Sequence, residues 1–330
     1  MPSTPPDYDH TSARPDFTAL PEMVRAEVAR LAGGPISRAE PPVTSGFTGS
    51  YAGTVHLADS RRVFVKAAGP AMPHVVAGLR REAEVLPRLI ALSCASRLIG
   101  AGSPATDEGV WEVLVLEHLA GHQPGMPWTT PDADAAHDAC LEVASAPVQL
   151  RADLGLTGVA SEVLADPEVL ALFPRLATGA APWPPQIALP SREQFAELDG
   201  LIQRIPSALA GTALCHLDVR PDNLLIVAGR AVLVDWNWVC AGPPWLDFVG
   251  LWPHMAYDGI DLSRYADSPL LAGVDPDDVD CFLAVLTAYM LRGWDAPPPP
   301  GCTPALRAHG TWQAEVLLDL LAARRGWARA

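Results

Sequence analysis

The sequence predicts an α+β protein of two unequal lobes, a small antiparallel sheet with one helix followed by a larger, mainly helical part. Three observations carry this reading. Strand-like alternation is concentrated before residue 117, helical spacing dominates after residue 249, and 330 residues that are 49% hydrophobic supply enough apolar surface for one large domain or two lobes. The composition also removes function classes. With 23 basic against 38 acidic residues the formal charge is −15, which opposes nucleic acid or an anionic membrane as the main partner, because neutralising phosphates needs clustered Lys and Arg. The longest apolar run near the C-terminus, residues 281–291, is far below the roughly 20 residues a membrane-spanning helix requires, and the N-terminus has no basic-then-apolar signal pattern. A cytoplasmic protein is expected. The 6 cysteines are scattered, with no CxxC pair and no regular spacing to histidine, which indicates reduced thiols and neither a disulfide framework nor a zinc site.

Residues 1–16 are rich in Pro, Asp and small polar residues with almost nothing to bury, and read as a disordered tail. The small lobe spans 17–117. Leu20, Met23, Val24, Val28 and Leu31 recur at helical spacing over 19–31, and Gly33-Gly34-Pro35 ends that helix. Residues 52–58 and 62–67 form a hairpin about Asp59-Ser60-Arg61, with Val63 and Val65 alternating against Phe64 and Lys66. Just upstream, residues 45–53 make a turn bearing Gly46, Gly49 and Gly53, of the kind that can lie close over a ligand. Helical spacing returns over 75–92, kinked at Pro87; at about 100° per residue Glu82 shares the face of Leu79 and Leu86, while Glu84 points about 140° away from Leu79. Strands follow at 97–99 and 111–117. The large lobe spans 118–330 and includes a Pro- and Ala-rich insertion, 122–200, with weak helical stretches at 133–145 and from 191 to 205.

The sharpest chemical signal is His216-Leu217-Asp218-Val219-Arg220-Pro221-Asp222-Asn223, followed by two apolar strands about Ala228-Gly229-Arg230 and then Asp235. Antiparallel pairing centred on Gly229 places Asn223 opposite Asp235. An amide oxygen and a carboxylate held together at one end of a hairpin suit Mg²⁺, a hard cation that keeps several waters and shares oxygens with phosphates. Asp218, on the same loop, is placed to take a proton from a hydroxyl nucleophile. Lys66 is the only lysine in a chain otherwise rich in Arg, and Asn223 and Asn237 are the only asparagines. On composition alone, chance retention and a chemical need for Lys66 both stand.

HxDxxxxN, a hairpin and then an Asp resembles the order of the kinase-like superfamily, and the details resemble the aminoglycoside phosphotransferase family over about residues 45–255. The resemblance implies a bilobal protein-kinase-like fold and transfer of the ATP γ-phosphoryl group to a hydroxyl of a small molecule. In that family the first Asp is the catalytic base, the Asn and second Asp bind Mg²⁺, and a strand Lys paired with a helix Glu holds the nucleotide phosphates; these become Asp218, Asn223, Asp235, Lys66 and Glu82. Gly46 and Gly49 would cover the phosphates, and the backbone around Glu117 and Leu119 would meet the adenine. Arg220 stands where protein kinases carry a lysine, either reaching the transferred phosphoryl group or forming a structural ion pair. Leu217 occupies a position where the family commonly has Gly. Asp247 matches an acid that braces the catalytic loop, and His216 reads as a packed brace of that loop.

A cationic antibiotic such as an aminoglycoside is one acceptor this implies; choline, homoserine, a sugar or a biosynthetic intermediate are alternatives. A protein kinase is opposed by length, since only 11 residues separate Asp235 from Asp247 and leave no room for an activation segment. A non-catalytic nucleotide-binding module would normally lack one of the lysine, base or metal residues. The cluster Asp275, Asp277, Asp278 and Asp280 precedes an apolar helix, where carboxylates favour the N-terminus electrostatically or bind substrate ammonium groups. Trp236, Trp238, Trp245 and Trp252 follow the metal aspartate as core anchors or as walls of the acceptor pocket.

Overall fold

Val63 and Val65 face one side of a pleated strand and Phe64 and Lys66 the other, and the small lobe is built on that division. The computed structural model describes residues 4–125 and 127–327. Strands β1 (Ile36–Ala39), β2 (Tyr51–Leu57), β3 (Arg62–Ala68), β4 (Leu98–Gly102) and β5 (Glu112–Glu117) form one antiparallel sheet in the order β1-β2-β3-β5-β4. Helix α1 (Glu22–Ala32) lays Val24, Val28 and Ala32 on the face of Val63, Val65 and Val115. It stops at Gly33, whose φ of 72° supplies the left-handed cap that a side chain would resist. Helix α2 (Pro73–Val85) covers the opposite face through Val76 and Leu79 against Ala68 and Leu114. Beyond it the chain tightens into a 3₁₀ turn, Leu86–Ala91, because Pro87 has no N–H for a further helical bond. Both helices fall on the stretches where helical spacing places them, 19–31 and 75–92.

The large lobe surrounds one extended core. Helices α3 (Thr130–Ala144), α4 (Arg192–Ile202), α5 (Leu246–Tyr257), α6 (Pro276–Leu291) and α7 (Ala305–Arg325) contribute to it, together with shorter helices between 148 and 208. Two small antiparallel pairs lie against α3: β6 (Ala213–Cys215) with β9 (Cys240–Gly242), and β7 (Leu224–Val227) with β8 (Arg230–Leu233). The insertion 122–200 is part of this core, since Ala136, Val143, Phe173 and Ile187 are buried in it. No described helix is long and apolar enough to cross a membrane.

Of the expected disordered tail, residues 1–3 lie outside the described residues; within 4–16, Tyr8, Thr11 and Ser12 are buried and Arg14 is half-buried, while most of the others are exposed. Tyr8–His10 form a 3₁₀ turn capped by Asp7, and Tyr8 is buried edge-on against His254, His309 and Trp312. The Tyr8 hydroxyl shares a hydrogen bond of 2.7 Å with His309 Nδ1. The partners lie at the other end of the chain, so local composition could not reveal them. An integrated insertion also has a measurable consequence: Leu198→Ala, at a fully buried position in α4, is expected to lower unfolding free energy by about 2–5 kcal/mol in denaturant titrations. A loss below about 1 kcal/mol would mark this region as a detachable cover.

Candidate active site

Lys66 leaves the α2 face of β3 and meets Glu82, whose buried carboxylate receives its Nζ at 2.8 and 2.9 Å. The same Nζ donates to Asp235 Oδ1 at 3.2 Å, across the cleft from the large lobe. Burial pushes the ammonium's pKa down, but Asp235 and Glu82 outweigh it and hold the group above the usual lysine value. Lys66 in turn keeps Asp235 below the usual carboxylate range despite its burial.

The catalytic-loop segment is held by buried hydrogen bonds. Asp247, at the start of α5, accepts from the backbone N–H of His216 at 2.7 Å and of Leu217 at 2.9 Å. This brace holds Leu217 at φ 68°, a left-handed conformation that explains why glycine suits the position and that a leucine adopts only under constraint. His216 Nε2 donates to Val234 O at 3.0 Å while Nδ1 accepts from Asp218 N at 3.3 Å. Burial lowers its pKa to about 4, so it is a neutral brace. Burial also pushes Asp218 up to about 6, with Asp235 and Asp222 adding repulsion and Arg220 opposing it. Arg220 Nη1 donates to Asp218 at 2.5 Å, and its Nε and Nη2 hold Asp222 at 3.0 and 3.1 Å. Its guanidinium forms ion pairs with both carboxylates, and Phe47 from the glycine turn lies over it at 5.4 Å.

The hairpin differs from expectation by one residue. Ala228 and Gly229, with φ of 50° and 79°, make a two-residue turn, so Leu224 pairs with Leu233 and Asn223 comes opposite Val234, whose N–H donates to Asn223 O at 3.0 Å. Asp235 follows in a left-handed conformation of its own, φ 69°. Asn223 Nδ2 donates to the Asp218 carbonyl at 2.8 Å and carboxylate at 2.9 Å, which leaves Oδ1 as its atom for a cation. An amide oxygen and the Asp235 carboxylate fit a hard divalent ion that takes few protein ligands and completes its shell with water and phosphate.

The glycine turn is tied down more than expected. Gly49 N–H donates to Gly301 O at 2.9 Å and Thr303 N–H to Phe47 O at 2.9 Å, so the turn is bridged to the segment before α7. The Gly49 amide is thus engaged by the large lobe in this structure. Gly46, at φ 83°, has the Arg14 guanidinium packed against it. Glu117 ends β5 with its carboxylate on Arg97 N at 2.7 Å, and half-buried Leu119 follows outside the sheet.

The acidic cluster is engaged: Asp275 caps α6 and pairs with Arg204, Asp278 also with Arg204, and Asp277 and Asp280 with Arg325. Trp236, Trp245 and Trp252 are core anchors, and only Trp238 of that group is exposed. Sequence reading passed over Arg14 and the backbone strain at Leu217. The departure from glycine was the only visible trace of the strain. Removing the brace should be severe: Asp247→Ala leaves two buried N–H groups without acceptors and is expected to cost on the order of 3 kcal/mol. Turnover should fall further than nucleotide affinity when both are measured on the folded variant.

Comparison with known proteins places this arrangement. A model described as the phosphotransferase enzyme family (APH) matches residues 44–278. No curated protein matches. The fold is similar to that of an aminoglycoside phosphotransferase from Alicyclobacillus acidocaldarius, at 16% identity over 94% of this chain and 97% of that one, with a TM-score of 0.52. It is also similar to a thermostable mutant of the aminoglycoside phosphotransferase APH(4)-Ia in its apo form, at 14% identity over 93% and 100% of the two chains and a TM-score of 0.61. A further substituted form of that mutant, in ternary complex with ADP and hygromycin B, gives 12% identity, 93% and 99% coverage and a TM-score of 0.60. At such identities the structures speak for the bilobal fold, and the family model, which spans most of the sequence, speaks for descent: the chain belongs to the phosphotransferase enzyme family.

Proposed function

We propose that this phosphotransferase moves the γ-phosphoryl group of ATP to a hydroxyl of a small molecule, with Asp218 as base. The observation that carries the reading is Lys66 Nζ held between Glu82 and Asp235 beside a loop that fixes Asp218 to Asn223. Lys66 would hold nucleotide phosphate oxygens, oriented by Glu82, and the backbone after Glu117, including Leu119, would meet the adenine. Asn223 and Asp235 would hold Mg²⁺, which when bound neutralises phosphate charge. Asp218 takes the proton of the acceptor hydroxyl as its oxygen bonds to the γ-phosphorus and the bond to the ADP oxygen breaks. Arg220 orients the Asp218 carboxylate and tempers its basicity through the 2.5 Å contact. Base, lysine and metal donors are all present, which favours an enzyme over a nucleotide-binding module.

The acceptor in this reading is a small hydroxyl compound, either a cationic antibiotic such as an aminoglycoside or another metabolite such as choline, homoserine or a sugar. The Asp275–Asp280 carboxylates are engaged by Arg204 and Arg325, which counts against their binding substrate ammonium groups.

Turnover of Mg²⁺-ATP against aminoglycosides, choline, sugars and hydroxy acids, with mass spectrometry for an added phosphoryl group, tests both statements. Asp218→Asn should depress kcat by about 10²–10⁴ with nucleotide affinity nearly unchanged, while Asp235→Asn should weaken Mg²⁺-nucleotide binding by calorimetry. Equal nucleotide affinities in the two variants count against these roles. Because Asp218 must be ionised to accept a proton and burial raises it to about 6, kcat/KM is expected to rise with pH through about 6 and to be lost below it. A flat profile from pH 5 to 8 would remove Asp218 as the base.

A further inference from the structure

Arg14 comes from the segment that sequence reading left out of the fold, and its guanidinium is lodged against the glycine turn. Nη1 donates to Ser50 O at 2.6 Å, Nη2 to Ser45 O at 3.0 Å, and Nε to Ser12 Oγ at 3.1 Å. A Cβ added at Gly46 would come within 2.9 Å of Nη2, so the turn closes directly on this group. The segment carrying it is fixed at several points. Ser12 N–H donates to Thr44 O at 2.8 Å, and Thr303 Oγ1 donates to Thr11 O at 2.5 Å.

The guanidinium is half-buried, yet among the described residues no carboxylate lies within the 4.0 Å of an ion pair. Burial lowers its pKa, and the carboxylates that oppose this from a distance are Asp235 and Asp222. Arg14 is therefore a cation bonded to the glycine turn, within the field of the aspartate assigned to the metal, and without a paired counterion among the described residues. Withdrawing such a charge from water is costly unless an anion completes it. Resting on the nucleotide reading above, we propose that Arg14 is a phosphate-binding residue, supplied by the N-terminal segment, that contacts the polyphosphate of the nucleotide beneath the glycine turn. Nη1 also donates to Thr48 Oγ1 and Ser50 Oγ, so the second Nη2 hydrogen is the donor left for a phosphate while the bonds to the turn are kept, a combination that a lysine ammonium does not reproduce. Arg14 also gives the turn a donor where the Gly49 amide is engaged by Gly301.

The test is calorimetry on the full chain with Mg²⁺-ATP and with adenosine, comparing wild type, Arg14→Ala and Arg14→Lys. Arg14→Ala should weaken ATP binding by about 10- to 100-fold and leave adenosine within about two-fold, and Arg14→Lys should fall between, because a charge-assisted contact to phosphate is lost while the adenine site is not. Equal weakening of ATP and adenosine would reduce Arg14 to a structural pin and overturn the proposal. Unchanged ATP affinity would overturn it as well, and tighter ATP binding would show that the segment obstructs the site instead. A wild-type chain that binds neither ligand would overturn the nucleotide reading itself, an outcome separate from any effect of Arg14.

Discussion

The two lobes share one ammonium. Lys66 belongs to the small lobe's sheet, Glu82 to its helix, and Asp235 to the end of a hairpin in the large lobe, and all three meet at Nζ within 3.2 Å. Glu82 is fully buried and acceptable there only because Lys66 pairs with it. Asp235 is half-open to the cleft, with its side chain 37% exposed, so the ammonium connects a dry interior to the surface where a ligand arrives. The position of α2 over the sheet, the pleat of β3 and the register of the hairpin converge on this contact.

Around it the backbone is strained where chemistry is expected. Leu217 and Asp235 both adopt left-handed φ; the first precedes Asp218 and the second is itself assigned to the metal. Such conformations cost of order 1–3 kcal/mol each and persist where neighbouring bonds over-determine them. Here the bonds are those of Asp247 to two successive amides and of His216 to Val234 O and the Asp218 amide. The brace is itself buried, which raises Asp247 to about 6. Its carboxylate holds the loop in shape without entering the cleft.

Across the cleft, the glycine turn is joined to the large lobe by two backbone hydrogen bonds, to Gly301 and from Thr303, and by the packing of Phe47 on His309. The N-terminal segment fills the space behind them. A net contribution of about 0.5–1.5 kcal/mol per bond makes this seam breakable on the scale of ligand binding. It joins elements far apart in sequence, a turn near residue 48 and a segment near residue 302.

What the sequence alone determined lies where local pattern and chemistry coincide. Alternation about Lys66 placed it opposite the Val63–Val65 face; helical spacing put Glu82 on the buried side of α2; the tight spacing of His216, Asp218 and Asn223 held them on one loop. Each follows from periodicity or short chain reach and survives any packing. The tertiary structure decided the rest through distant partners and backbone conformation. Two residues at positive φ, rather than a turn centred on Gly229, moved the hairpin by one position. The carboxylates of Asp275 to Asp280 found Arg204 and Arg325, which no local pattern pairs with them. Tyr8 and Arg14 lie in a stretch too polar to form a core of its own, and they are ordered because Trp312, His309 and the glycine turn supply complementary surfaces from elsewhere in the chain. Burial of that kind is a property of the assembled fold, since the energy that orders a segment resides in contacts its own sequence does not contain.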